Sequence, residues 1–484
     1  MKKIEKYVSI KRRKRMKKYL VWMGAMILVM ALTSPALAQD WAKQFTTTSL
    51  FQIWSVWENK PDFQMNAADQ AITTKGISSR INFYLNWGDS KYVRGVIGFE
   101  ADSTNWGEPT WSNTSTTTDP NYSASANPIN RMGVRNTDQA QLEIKHAYLE
   151  FTIPNTPIMV TPGIQNFGYG GRLFQSQDNP GLKVTAAFAP HQIQAAWFRQ
   201  NEGYATDTDT LRRNSYHVND YYGLEYKLSQ KAFNVYAYGF YQNDLQKDTY
   251  SDHPYWIGVG GGFRPGNLNL SGQLVYIGGK RDYVSASAID VDYSAYAMEI
   301  LAQYQIGPGL SVAGEVYYAS GNDADDPSKS KQYFTPAGSE AYSNFGLGRT
   351  VFFWMNFSTF GNQHQRQGDF GGMYYGRLNA IYSPLPWLQL SPNYLYIGDT
   401  SKGTANGSKS VNTPTGAQQW KDEDFIGHEI NLITTLKIYQ NFTYNIGLAY
   451  FIPGGVYDYY SSTGTKIRGG ENAWAVNTGM QLAF

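Results

Sequence analysis

The end of the chain alternates without a break. Trp474, Val476, Thr478, Met480, Leu482 and Phe484 interleave with Ala475, Asn477, Gly479, Gln481 and Ala483. Successive side chains of a β-strand point to opposite faces, so this segment is a strand with one apolar face and one small or polar face. The pattern recurs along the chain. Ile77, Ser79, Ile81, Phe83, Leu85 and Trp87 interleave with Ser78, Arg80, Asn82, Tyr84 and Asn86. Leu182, Val184, Ala186 and Phe188 do so with Lys183, Thr185 and Ala187, and Phe442, Tyr444, Ile446, Leu448 and Tyr450 with Asn441, Thr443, Asn445, Gly447 and Ala449. No stretch of comparable length carries a helical period.

What joins the runs narrows the fold further. Eight connections are tight: Gly88-Asp89-Ser90, Pro154-Asn155-Thr156-Pro157, Ala189-Pro190-His191, Ser229-Gln230-Lys231, Pro265-Gly266-Asn267, Gly307-Pro308-Gly309, Pro384-Leu385-Pro386 and Tyr439-Gln440-Asn441. Nine are long and polar, near 57–72, 104–138, 166–181, 203–219, 245–253, 280–291, 321–368, 399–422 and 453–472. Long and short alternate strictly, which predicts an all-β, up-and-down antiparallel transmembrane barrel, with short periplasmic turns at one end and long extracellular loops at the other. Seventeen connections join 18 strands, and 16 is the alternative count. The least regular stretch is 321–368. Its Val351-Phe352-Phe353-Trp354-Met355-Asn356-Phe357 reads as a strand, an inward-folded loop or a partner contact.

Backbone hydrogen bonding explains why such a chain can cross a bilayer. Hydrocarbon offers the peptide group no partner, so a sheet crosses it only when closed without an edge. Lipid on one face and water on the other keep each run alternating. A mean hydropathy of −0.45 is therefore compatible with a membrane protein. A second long apolar run is missing, which excludes a polytopic helical bundle. A secreted sandwich, propeller or β-helix is the alternative, but no blade-length repeat is present.

The net charge of +2 belongs to the N-terminus. Residues 1–18 carry ten Lys/Arg and one acid, Glu5. The apolar run Tyr19–Thr33 and Ser-Pro-Ala-Leu-Ala follow. This is the layout of a Sec signal peptide spanning residues 1–38, leaving 39–484 as the barrel domain. An uncleaved anchor is the alternative, and Met16 offers a second start. Removal leaves 31 of the 41 basic and 38 of the 39 acidic residues, so the exported domain is near −7. No nucleic-acid or polybasic-membrane argument survives that change.

If the apolar set faces lipid, Arg80, Arg94, Glu100, Lys183, Glu225, Lys227, Glu299, Glu315, Arg377 and Glu429 line the interior. The bases lie mostly in the first half and the acids Glu299, Glu315 and Glu429 in the second. That division predicts a transverse field across a polar pore. Structural pairing of the same residues in a plugged lumen is the alternative. The third long link, Gly168–Pro180, is the candidate constriction. Its glycines allow an inward fold, with Arg172, Gln175 and Asp178 narrowing the pore. An ordinary surface loop is the alternative. Segment 139–153 breaks the alternation: Leu142, Ile144, His146, Tyr148 and Glu150 form one face, and Glu143, Lys145, Ala147, Leu149 and Phe151 the other. Either choice exposes charge to lipid, which suggests a subunit contact or a strand end lying in water. The terminal Phe484 is the candidate signal for the outer-membrane assembly machinery.

Catalytic and metal chemistry finds little support. The chain has no Cys, and its six His (146, 191, 217, 253, 364 and 428) show no metal-ligand spacing. No nucleophile elbow or phosphate loop appears. No enzyme activity, metal or cofactor is expected. Asp323-Ala324-Asp325-Asp326 lacks a complete Ca²⁺ loop and reads as a solvated acidic tip, or as a contact to ions bridging lipopolysaccharide.

Three segments resemble one family. Arg80–Gly107 (RINFYLNWGDSKYVRGVIGFEADSTNWG), Glu143–Thr156 (EIKHAYLEFTIPNT) and Val160–Gln165 (VTPGIQ) are similar to elements of the outer-membrane homotrimeric porins of sulfate-reducing bacteria. The similarity covers about 90 residues, the rest matching in layout alone. It departs at Lys145-His146, where the family has a Lys-Arg pair, and in the aromatic 321–368 segment. The resemblance implies a homotrimer of water-filled barrels passing small solutes. The expected function is therefore an outer-membrane porin for passive diffusion of small hydrophilic solutes and ions, in contact with lipid and lipopolysaccharide. The alternatives are a substrate-specific channel and a barrel sheath around a partner such as a haem protein.

Overall fold

The computed structural model describes residues 45–60, 72–89, 93–105, 142–171, 173–204, 216–245, 250–285, 288–323, 326–336, 371–401, 424–455, 458–460, 466–468 and 472–484. The signal segment, Arg172 and Val351–Phe357 lie outside them. The strands are β1 (Thr46–Lys60), β2 (Ile72–Asp89), β3 (Val93–Asn105), β4 (Glu143–Thr152), β5 (Ile158–Tyr169), β6 (Gln175–Phe188), β7 (His191–Tyr204), β8 (Tyr216–Ser229), β9 (Phe233–Asp244), β10 (Tyr250–Phe263), β11 (Leu268–Tyr283), β12 (Val291–Gly307) and β13 (Leu310–Ala319). They continue with β14 (Lys329–Ser330), β15 (Met373–Leu385), β16 (Leu388–Asp399), β17 (Phe425–Tyr439), β18 (Phe442–Pro453), β19 (Tyr459–Tyr460), β20 (Lys466–Arg468) and β21 (Ala473–Ala483).

Each long strand pairs antiparallel with the long strands before and after it, and β21 returns to β1. The result is a closed barrel of 18 strands, with the short β14, β19 and β20 left out of the antiparallel ring. The seam is continued by the last residue. Phe484 N donates to Ser49 O at 3.0 Å and Ser49 N to Phe484 O at 3.1 Å, while the Phe484 side chain stays exposed. Seven of the eight tight connections lie within the described residues and fall where the sequence puts them; the first, between β2 and β3, runs through 90–92 outside them. Among the described residues no helix is long and apolar enough to cross a membrane.

Polarity is inverted relative to a water-soluble domain. Leu224, Ile257, Val259, Met298, Ile300, Val316 and Ile430 are 40–58% exposed, whereas Glu100, Glu225, Glu299, Glu315, Arg377 and Glu429 are at most 3% exposed. In water that arrangement would leave a broad apolar surface and buried charge. With acyl chains outside, the same alternation satisfies both faces. β12 shows it residue by residue: Tyr293, Ala295, Ala297 and Glu299 turn in, and Tyr296, Met298 and Ile300 turn out.

β4 corrects the sequence reading of 139–153. Gly98 pairs with His146 and Phe99 with Ile144, so Lys145 is an extra residue in a β-bulge. A bulge switches the phase of alternation. Leu142 and Ile144 face out before it, Leu149 and Phe151 face out after it, and Lys145 and Glu150 turn in to carboxylate and guanidinium partners. No charge need face lipid, so the reason for a subunit contact on this strand falls away.

Candidate pore constriction

The third long connection is not a loop. β5 and β6 stay paired up to Tyr169 and Gln175. β4, however, follows β5 only to the Ala147–Ile164 pair, and β7 joins β6 only from the Gly181–Phe198 pair. Residues 165–180 are therefore a hairpin bonded in its ladder to itself alone. It leaves the wall at two Pro-Gly steps, Pro162-Gly163 and Pro180-Gly181, whose glycines sit opposite each other. Proline supplies no ladder donor. Gly163 adopts φ +127, and a Cβ there would strike the carbonyl oxygen of Ala147. At the turn, Gly170 and Gly171 have φ of +64 and +56, which L side chains rarely adopt.

Aromatic packing holds the hairpin inside. Phe167, Tyr169, Leu173 and Phe174 are at most 2% exposed and join a cluster with Phe198, Tyr221, Tyr238, Phe240 and Trp256 from β7 to β10. Ring centroids lie 4.6 Å apart for Phe167–Phe198, 4.7 Å for Tyr169–Phe240, 5.1 Å for Phe174–Tyr238 and 5.4 Å for Phe174–Trp256. Each such pair contributes roughly 0.5–1.5 kcal/mol beyond the apolar area it buries. A second segment comes in from after β13. Trp256 Nε1 donates to Phe334 O at 3.1 Å, Phe334 packs on Tyr293 at 5.2 Å, and the Tyr333 hydroxyl donates to Leu173 O. This part of the 321–368 stretch is thus an inward fold, steadied by Lys331 N and Gln332 N donating to Asn322 Oδ1 at 2.7 and 2.9 Å.

Alternation gives the hairpin a dry and a wet face. Gln165, Phe167 and Tyr169 are buried, and Asn166 and Gly168 between them are exposed. Gln175 lies opposite Tyr169 on the dry face and is fully buried. It therefore does not narrow the pore as the sequence suggested, because the strand continues where a loop was expected and pairing fixes its side. Asp178 is on the other face. It accepts from His146 Nε2 at 3.0 Å and lies 3.4 Å from Lys145 Nζ. Lys145 also donates to Glu100 at 2.6 Å. Arg172 lies outside the described residues. The hairpin is further braced by Lys183, whose ammonium donates to Asn166 O at 2.8 Å and sits 5.3 Å from the Phe167 ring centre.

Of the ten charges expected inside, Glu100, Glu225, Glu299, Glu315, Arg377 and Glu429 are buried, and the set is paired locally more than opposed across the lumen. Arg80 is 4.0 Å from Glu100 and lies over Trp54, and Arg94 is 2.6 Å from Glu150. Lys227 is 2.7 Å from Glu225. Arg377 and Tyr375 both donate to Glu315. Glu299 accepts from Gln273 at 3.0 Å and Glu429 from Asn431 at 2.8 Å. The expected transverse field is weakened to that extent, because Lys145, His146 and Glu150 are interior partners that the unbulged reading of β4 hid. Nearer the short turns than the acids of β13 and β17 runs an amide row: Asn379, Asn393 and Asn431 face one another across β15, β16 and β17, and Asn393 donates to Asn431 at 3.0 Å.

Metal chemistry gains no support from the acidic tip. Asp323 turns to Lys331 at 3.7 Å and Asp326 to Lys329 at 3.4 Å, and the Ser328 hydroxyl donates to Asp326 at 2.6 Å, holding that carboxyl below its usual range. Among the described residues no three His, Asp or Glu side chains gather to hold a metal ion.

No family model matches the chain, and no curated protein matches it in sequence. Solved structures do match its fold. OccK3 (OpdO) of Pseudomonas aeruginosa superposes with a TM-score of 0.50 at 12% identity, over 93% of this chain and 99% of that one. OpdK from the same organism, solved with vanillate, gives 0.50 at 10% over 90% and 98%. OpdL gives 0.50 at 11% over 91% and 99%. At such identities the likeness is one of fold: a large, closed, antiparallel β-barrel.

Proposed function

We propose that this chain is an outer-membrane porin, exported by the signal segment at 1–38, whose lumen passes small hydrophilic solutes and ions by passive diffusion. One observation carries the reading. A closed barrel with apolar side chains outside and charged, hydrogen-bonded side chains inside holds one of its own hairpins in the lumen, wet face toward the opening. A water-soluble barrel has no use for that polarity, and no catalytic role is proposed. Arg80, Arg94, Glu100, Lys183, Glu225, Lys227, Glu299, Glu315, Arg377 and Glu429 line the route, with Asp178 and Asn166 at its narrowest level. Phe484, at the seam, is the signal read by the assembly machinery. The similarity of Arg80–Gln165 to homotrimeric porins of sulfate-reducing bacteria supports a trimer in lipid and lipopolysaccharide.

Purified protein reconstituted in planar bilayers tests this. Stepwise conductance is expected, and its absence at every voltage contradicts the proposal. A second reading, a substrate-specific channel, is favoured by the inner wall itself. Asn379, Asn393, Asn431 and Glu429 are at most 5% exposed in a closely bonded layer, which suits selective contact more than a wide aqueous pore. OpdK, solved with vanillate, shares the fold and makes the same reading reasonable here. Saturable, solute-dependent block of the current separates it from general diffusion. A sheath around a haem protein predicts a lumen too full to conduct.

A further inference from the structure

Beneath the hairpin turn, against the inner faces of β8 and β9, lies a recess of about 400 Å³. The turn residues Gly168–Gly171 form one side, and Glu225, Lys227, Ser229, Asn234 and Tyr236 form the other. Two features make it a built site. Glu225 is 2% exposed and lies 2.7 Å from the Lys227 ammonium, whose side chain is 39% exposed. The hydroxyl of Tyr169, a residue 2% exposed that lines the recess, has no hydrogen-bond partner among the described residues. A buried hydroxyl without a protein partner is costly, so a solute hydroxyl that reaches it is bound with a net gain.

We propose that this recess is a subsite for a neutral, polyhydroxylated solute of sugar or sugar-alcohol type. The proposal rests on the channel reading and names a solute class for it. The lining is rich in groups that both donate and accept, which matches hydroxyls pointing in several directions. Its two charges already neutralise each other at 2.7 Å. A zwitterion or a dicarboxylate would have to open that pair to bind, whereas a sugar uses the remaining protons and lone pairs and leaves it closed. The half-buried Tyr236 ring offers apolar surface for the C–H face of a pyranose. The volume lies at the low end of the ~300–1,000 Å³ usual for ligand pockets, so it suits one or two sugar rings.

Single-channel current through the full mature chain tests the subsite, with glucose, glycine or succinate added on one side. Glucose is expected to lower the current saturably, beyond its effect on bulk conductivity, while glycine and succinate do not. Tyr169→Phe removes one hydroxyl and is expected to raise the half-blocking glucose concentration about fivefold, the scale of one hydrogen bond. Glu225→Gln breaks the neutrality of the lining and is expected to turn succinate into a blocker. This variant carries the test if Tyr169→Phe does not assemble. A conducting channel that glucose does not block, or a block that Tyr169→Phe leaves unchanged, overturns the subsite. Block of the unaltered protein by glycine or succinate in place of glucose overturns the ligand class. No conductance at all instead overturns the channel reading, and the subsite with it.

Discussion

The inner wall of this barrel has two unlike halves. Over β7–β12 it is aromatic and covered, with Phe198, Tyr221, Phe240 and Trp256 closed over by Phe167, Tyr169 and Phe174 of the hairpin. Over β13–β18 an ionic and amidic layer, with Arg377 bonded to Glu315, Asn393 to Asn431 and Asn431 to Glu429, lies beside buried Tyr317, Tyr375, Leu395, Ile397 and Phe451. Both halves come from the same period-two alternation, and neither differs from the other in its lipid face. The difference lies in what each inner face meets. A wall that meets a folded hairpin can be apolar and behaves as a small dry core. Where polar groups line the wall, they must be satisfied by one another, by water or by a solute. In the proposed channel the constriction comes from the fold of one hairpin and not from the diameter of the ring.

That contrast sets the order of the expected effects. Replacing 166–180 by a short turn removes the hairpin and should raise single-channel conductance roughly two- to fivefold, as expected when an internal plug leaves a barrel of this strand number. An unchanged conductance would mean the narrow point lies elsewhere. Phe174→Ala opens a cavity in the covered half. By analogy with other buried Phe truncations it should loosen the hairpin by about 3–5 kcal/mol, seen as noisier open-channel current and faster proteolysis at the turn. The matching change on the lipid face, Ile257→Ala, should leave both readouts unaltered.

In the ionic half, Arg377→Met leaves the Glu315 carboxylate without its guanidinium. The loss should approach ~3–5 kcal/mol if the layer is dry and less if water enters, measured as a lower unfolding midpoint. Pairing it with Glu315→Gln should recover most of that loss. Failure to recover would show that the pair is not the unit. Asn393→Ala in the amide row should cost about 1 kcal/mol, the smallest of these effects, with the same midpoint as readout.

Much of this architecture was legible. Alternation and turn chemistry are local, so the strand number and the tight turns could be read from residues such as Pro265-Gly266-Asn267. What could not be read depends on neighbours far along the chain. The bulge at Lys145 follows from pairing with Gly98 and Phe99, and without it no assignment of faces to β4 is consistent. The hairpin was expected to fold inward, but as a loop. That it remains a ladder released from β4 and β7 depends on those strands, and it moved Gln175 from the pore to the wall. A signal was present in the opposed Pro-Gly steps at 162–163 and 180–181. The local pairing of the interior charges likewise needed the register.

The whole account turns on which side chains touch acyl tails. The natural chain has no cysteine, so a single one can be placed at will. On β8, Leu224 is 54% exposed on the outer face, and Lys227, three residues on, faces the lumen. In protein reconstituted into liposomes, Lys227→Cys should react with a charged, membrane-impermeant maleimide. Leu224→Cys should resist that reagent and react only with a lipid-soluble one. Equal reaction of both with the charged reagent, or the reverse pattern, would contradict the account.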